Sequence, residues 1–241
     1  MIDLRNKKLL EVIKEYNTFR YIRKELLKGN SIGVVIVGAT RKGKTMSGLK
    51  IGELFDPNLS LEYNYYTDLT EMISNIWNRD MRRQVIIYDE AGKDLDIRKW
   101  NSEFNSVFSI LMQTQAYRNN LYIVIFPHQK MISSSHYFLL DIIIEKISRQ
   151  IGIAYKVHKR YIDFNHSKPF YFIKLDSIAF KLPSKRLMIQ FKNKEDIEKK
   201  KIMESLFNRL YEKGFVNIEP ENSSDNNKNL LDDLKKLTQN I

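Results

Sequence analysis

Eight residues, Gly38-Ala39-Thr40-Arg41-Lys42-Gly43-Lys44-Thr45, have the types and spacing G-x-x-x-x-G-K-[ST]. That pattern is suited to holding a phosphate chain. The two glycines let the backbone turn its N–H groups inward around an anion, and a helix starting at the loop's end adds partial positive charge. Lys44 has the reach for β- and γ-phosphates, and the Thr45 hydroxyl is a hard oxygen that suits Mg²⁺. A second chemical element follows in Gln84-Val85-Ile86-Ile87-Tyr88-Asp89-Glu90, where an apolar run ends in two acids. At the tip of a buried strand beside a phosphate loop, Asp89 would ligate Mg²⁺ directly or through water. Glu90, one residue on, points elsewhere and could polarise a water in line with the γ-phosphate. A strand that merely ends at a solvated loop leaves the same residues, but buried acids need a cation or donor, and the loop upstream supplies that context.

The flanks fit this chemistry. Ile32-Gly33-Val34-Val35-Ile36-Val37 is an apolar, β-branched run of the kind that forms a strand buried on both faces. Met46 to Phe55 reads as the start of a helix, so the loop sits between strand and helix. Leu121-Tyr122-Ile123-Val124-Ile125-Phe126 is another continuous apolar run, hence another central parallel strand. It ends in Pro127-His128-Gln129, which places a polar side chain beside the strand of Asp89 and near a γ-phosphate.

Residues 1–29 read as helix, capped by Gly29-Asn30. Tyr63-Asn64-Tyr65-Tyr66 fits a short core strand or, alternatively, a base-stacking surface. Thr67 is the expected N-cap of a helix that buries Leu69, Met72, Ile73 and Ile76. A loop over 91–102 leads into a helix expected from Glu103 to Tyr117. Asp141 to Gln150 is expected to be helical. The alternation from Ile153 to Ile162, a turn at Asn165 to Pro169, and returns at Phe170–Leu175 and Ile178–Pro183 predict an antiparallel hairpin or meander at a sheet edge. Lys156, His158, Arg160 and Lys174 on it could touch phosphates, or could simply guard an exposed edge. A basic helix is expected from Asn193 to Gly214. The leucines at 230, 231, 234 and 237 could dock on a neighbouring subunit or fray in solvent.

The chain of 241 residues is 43% hydrophobic, enough for one α/β domain with short extensions. It has no cysteine, which excludes disulfides and thiolate metal sites. Charges interrupt the N-terminus before any apolar core, so no signal peptide is expected, and no run reaches the ~20 apolar residues of a membrane span. Net charge is +11; residues 219–241 hold five acids and three bases, which leaves +13 on the rest. Such an excess suits a polyanionic partner, nucleic acid first, although lysine-rich proteins of AT-rich genomes are also basic without one.

The phosphate loop, Tyr88-Asp89-Glu90-Ala91-Gly92, Arg98-Lys99-Trp100-Asn101 and a strand ending before Gln129 together resemble the FtsK–HerA superfamily. Within it they are most similar to small archaeal and viral HerA-like or Zot-like ATPases, including genome-packaging ATPases of icosahedral viruses. The resemblance covers about residues 31–150. It implies an ATP-hydrolysing DNA translocase using ATP and Mg²⁺, with Glu90, Gln129 and Arg118 catalytic. Gln129 takes the place of a sensor glutamine, and Arg118 that of an arginine inserted into a neighbouring subunit's site. The pattern departs at one point: related sequences often carry an arginine directly after Gln-Thr, whereas here Gln115-Ala116-Tyr117 separate Gln113-Thr114 from Arg118. The implied partners are double-stranded DNA, further copies of the chain in a ring of six or five, and a capsid or membrane-machinery protein. The implied location is the cytoplasm (a host's, or a virion, if viral), without membrane insertion. A regulatory or scaffold NTPase that moves no DNA is the alternative. A nucleotide kinase fits less well, because it needs an arginine-rich lid.

The expected fold is thus α/β, a doubly wound, mostly parallel sheet of the P-loop NTPase (RecA/FtsK-like) kind. A helical extension spans 1–30, the ATPase core 31–152, a hairpin and helix of the same domain 153–218, and an acidic, flexible tail 219–241.

Overall fold

The structure is a computed structural model that describes residues 1–89, 91, 103–114, 116–132, 137, 139–159 and 170–212. The chain divides into two units, Met1–Lys192 and Asn193–Ile241. In the first, the apolar runs become strands. β1 (Ile32–Val37), β3 (Val85–Tyr88) and β4 (Leu121–Ile125) are buried at every position. With β2 (Tyr65–Tyr66), β5 (Ile142–Lys146), β6 (Ile151–Lys159) and β7 (Phe170–Ala179) they form one sheet, in the order β2-β3-β4-β1-β5-β6-β7. The first five strands are mutually parallel, and β6 and β7 are antiparallel additions at one edge.

Helices cover both faces, which is what a sheet buried on both sides requires. On one face lie α1 (Lys7–Glu15), α2 (Asn17–Leu27) and α3 (Lys44–Phe55), with Leu9, Phe19, Ile22, Leu49 and Phe55 in a core against Ile36, Ile87 and Ile123. On the other, Leu69, Met72 and Ile76 of α5 (Leu69–Asn78) and Leu111 of α6 (Glu103–Thr114) pack against Val35, Ile86 and Val124. Neighbouring strand residues alternate between the two cores, as the pleat dictates. The doubly wound architecture expected from the sequence is therefore present. The N-terminal helices are a covering layer of the sheet rather than an arm apart from it.

Several local expectations change. Residues 141–150 are not a helix: Ile142–Lys146 is β5, paired in parallel with β1 from Val34↔Ile142 to Val37↔Glu145. A run of β-branched residues carries no period when both faces are buried, so pattern alone does not separate strand from helix there. The first 29 residues form two helices, not one. Tyr16 is extended, and Asp176 of β7 accepts hydrogen bonds from the N–H and hydroxyl of Thr18, both at 2.6 Å, capping the new helix from across the fold. Asp68, not Thr67, caps α5 by accepting from the N–H of Glu71 at 2.8 Å. The tyrosine strand is only Tyr65–Tyr66, preceded by a helical turn, α4 (Leu61–Asn64). α6 stops at Thr114, and Ala116–Arg118 is a separate 3₁₀ turn. Ile178 belongs to β7, and no third strand follows it among the described residues. The last helix, α7 (Lys185–Glu212), starts eight residues earlier than Asn193 and buries Leu187 in the first core. No described helix is long and apolar enough to cross a membrane. The turn at 165–169, Gly214 and the tail from 219 lie outside the described residues.

Candidate nucleotide site

Strand order builds the site. β4 lies between β1 and β3, so the tips of three parallel strands stand side by side. From β1 comes the phosphate loop, from β3 comes Asp89, and from β4 the segment to Gln129. Chain direction changes sides at β1, which pairs with β4 on one edge and β5 on the other, and such a switch point opens a crevice beyond the strand ends.

The loop has the backbone that the glycines permit. Gly38 has φ +146° and Gly43 φ +75°, both in the region that favours glycine. Gly43 also serves as N-cap of α3, so the first-turn N–H groups of that helix face the loop. Lys44 folds back over it, its amine donating to the carbonyls of Gly38 at 2.8 Å and Ala39 at 3.0 Å. Burial pulls the Lys44 amine below its ordinary pKa, while the Asp89 carboxylate opposes that shift. An incoming phosphate would replace the carbonyls with a far stronger acceptor. Arg41 takes a left-handed conformation (φ +65°); Ala39 and Thr40 are part of the same turn, and Lys42 closes it with an N–H bond to the Ala39 carbonyl at 3.4 Å.

Asp89 is buried, 6% exposed, at the tip of β3. Its Oδ2 accepts a hydrogen bond from the Thr45 hydroxyl at 2.7 Å. Two oxygens from different elements thus meet where the loop, the helix start and the acidic strand tip converge. Oxygen donors of this kind fit a small hard cation, so Thr45 and Asp89 would hold Mg²⁺. The same Oδ2 accepts from the Tyr65 hydroxyl at 2.9 Å. Tyr65 is 4% exposed and sets its ring edge-on to Phe191 of α7, with centroids 5.8 Å apart. By sequence alone Tyr65 is a strand residue or part of a stacking surface. Its role depends on the Tyr65↔Ile87 register of β2 with β3, which no local pattern announces.

The other expected residues are distributed as follows. Gln129 is exposed, just beyond β4, and shares a hydrogen bond with Tyr137, whose ring stacks on Phe170 at 4.4 Å. Burial is the main cause of the raised Tyr137 pKa, opposed by Gln129. Arg118 lies before β4, at the end of the strands opposite the loop, since Ile32 pairs with Leu121 where both strands begin. About five residue steps of 3.3 Å separate that end from the loop, so Arg118 does not serve its own site. Its side chain is 12% exposed and sits 2.5 Å from Asp80 in an ion pair, with angles that leave Nη1 outside hydrogen-bond geometry. Glu90 lies outside the described residues, as do Lys93, Arg98, Lys99 and Arg160. On the hairpin, Lys156 packs its amine over the Tyr21 ring at 4.6 Å, His158 stacks on Tyr171, and Lys174 is exposed.

No family model matches the chain, and no curated protein matches it. Solved structures similar to it include the genome packaging NTPase B204 of Sulfolobus turreted icosahedral virus 2 in complex with ATP-γ-S, at 12% identity over 58% of this chain and 96% of that one, TM-score 0.37. The N-terminal domain of zonular occludens toxin from Neisseria meningitidis aligns at 12% identity over 64% of this chain and 96% of that one, TM-score 0.38. A KaiC-like protein, PH0186 of Pyrococcus horikoshii OT3, aligns at 12% identity, covering 64% and 90%, TM-score 0.29. These likenesses are of general outline; the chemistry of the site rests on its own geometry.

Proposed function

We propose that the chain is an ATP-hydrolysing DNA translocase of the FtsK–HerA type, most at home packaging viral genomic DNA or pumping DNA in conjugation. The observation that carries its nucleotide chemistry is the 2.7 Å hydrogen bond between Thr45 and Asp89, which joins the phosphate loop to the acidic strand. Lys44 and the loop N–H groups hold the phosphates, α3 adds its dipole, and Glu90 orients the attacking water. Gln129, at the tip of the strand between loop and acid, senses the γ-phosphate. Mg²⁺, when bound, neutralises developing charge on the phosphates. The +13 body and the motif resemblance support duplex DNA as the polyanion, bound through its phosphates without sequence preference. A cytoplasmic ring of six or five copies, acting with a capsid or membrane-machinery protein, completes this reading.

One observation favours a second reading, a regulatory NTPase that moves no DNA. Arg118 is tucked against Asp80 in its own chain instead of projecting toward a neighbour. Negative-stain images with a non-hydrolysable ATP analogue and duplex DNA separate the two. Closed rings around DNA are the expected result, and monomers throughout would favour the regulatory reading.

A further inference from the structure

The turn between β5 and β6 walls the phosphate loop. A Cβ placed on Gly38 would lie 2.9 Å from the Lys146 carbonyl oxygen and 3.0 Å from the Lys146 Cβ, and one placed on Gly43 would lie 3.2 Å from the Arg149 carbonyl. Both glycine ends of the loop are therefore closed by the chain at Lys146 and Arg149. Register explains the approach: Val37 pairs with Glu145, so Gly38 and Lys146 are the next residues at adjacent strand tips.

Lys146 is an odd residue to find there. It is 3% exposed, on the same face of β5 as the core residues Ile142 and Ile144. An apolar side chain would fill that place without cost, whereas a buried ammonium needs a partner. The partners it has are weak: the Phe180 ring, 4.1 Å from Nζ to centroid, and the Arg149 carbonyl at 3.4 Å. The charged groups around it offer no counter-charge. Lys44 and Arg149 are cations, Lys181 follows Phe180, Glu145 points to the opposite face, and Glu53 of α3 is paired with Lys50 at 2.9 Å. Among the described residues no carboxylate pairs with Lys146.

We propose that Lys146 is a charge sensor of the phosphate loop, a buried cation whose counter-charge arrives with the phosphates of the bound nucleotide. The inference rests on the reading of the loop as a nucleotide site. In the empty site, burial pushes the amine down to about 8, so it is partly neutral in mildly alkaline solution. Bound phosphate anions favour the charged form and raise it again. Binding above pH 8 therefore takes up a proton, and affinity falls as pH rises from about 8 toward the ordinary lysine range near 10.4.

The test is titration of the intact protein with a fluorescent ADP analogue and Mg²⁺ from pH 7 to 9.5, alongside the melting temperature of the nucleotide-free protein. Lys146→Met should bind about tenfold more weakly at pH 7.5, while its nucleotide-free melting temperature stays level or rises. Lys44 titrates in the same site, so the decisive quantity is the difference between wild type and variant. Lys146→Arg keeps the charge but cannot lose it, and should bind normally at pH 7.5 with a flatter alkaline profile. Should Lys146→Met fail to fold, the arginine variant decides. Affinity of Lys146→Met within twofold of wild type, or an alkaline profile of Lys146→Arg that overlays the wild type, would overturn the proposal. A wild-type protein that binds no nucleotide would overturn the nucleotide reading beneath it.

Discussion

At the scale of single residues, Asp89 is the group on which the others converge. Its Oδ2 accepts from Thr45 and from Tyr65, so a tyrosine hydroxyl fixes the carboxylate that would hold Mg²⁺. Partners that orient a ligating carboxylate commonly matter ten- to a hundredfold for metal affinity, by about that order. Tyr65→Phe keeps the ring and its contact with Phe191 and removes only the hydroxyl. It should raise the Mg²⁺ concentration needed for half-maximal nucleotide binding about tenfold, with Mg²⁺-free binding unchanged, as read by fluorescence of a bound analogue. An unchanged Mg²⁺ requirement would leave Tyr65 a packing residue. Gly38 to Thr45 and Asp89 were legible in the sequence because phosphate and Mg²⁺ chemistry dictates residue type and spacing. Tyr65 and Lys146 were not: their meaning comes from strand register, and a tyrosine in a strand or a lysine closing one reads first as packing or as solvated charge.

At the scale of elements, the site depends on how closely β1 approaches the chain entering β5. A Cβ on Gly33 would lie 2.8 Å from the Leu139 carbonyl and 3.4 Å from the Leu140 Cα. These are backbone atoms next to buried strands and cannot step aside as a flexible side chain could. Asp141 ties the same junction, accepting from the Gly33 N–H at 2.9 Å, with Lys159 at 3.4 Å. Gly33→Ala should therefore cost about 2 kcal/mol, a fall of roughly 5 °C in melting temperature for a unit of this size. A melting temperature equal to wild type would show that the junction yields. The apolar runs of β1, β3 and β4 were readable as buried strands. β5 was not readable, because three isoleucines followed by Glu145-Lys146 suit a buried strand and a helix alike, and pairing with β1 decides between them.

At the scale of the whole molecule, the parallel sheet separates two ends, the phosphate loop at one and Arg118 at the other. If an arginine so placed takes part in catalysis, it does so in a neighbour's site, and it must first leave Asp80. Arg118→Ala and Lys44→Ala proteins should each be inactive alone and regain partial ATPase activity when mixed, because intact Lys44 sites then meet intact Arg118 donors. Full activity of Arg118→Ala alone would remove the residue from the mechanism. The doubly wound class was legible from alternating apolar runs and helices, whereas the ion pair that restrains Arg118 joins segments no pattern connects. The most direct test of the account is steady-state ATP hydrolysis with Mg²⁺, with and without duplex DNA, by wild type, Lys44→Ala and Glu90→Gln. Wild type should hydrolyse ATP and be accelerated by DNA, Lys44→Ala should neither bind well nor turn over, and Glu90→Gln should bind ATP without turning over. Wild-type hydrolysis no faster than that of Lys44→Ala, with DNA or without it, would contradict the account.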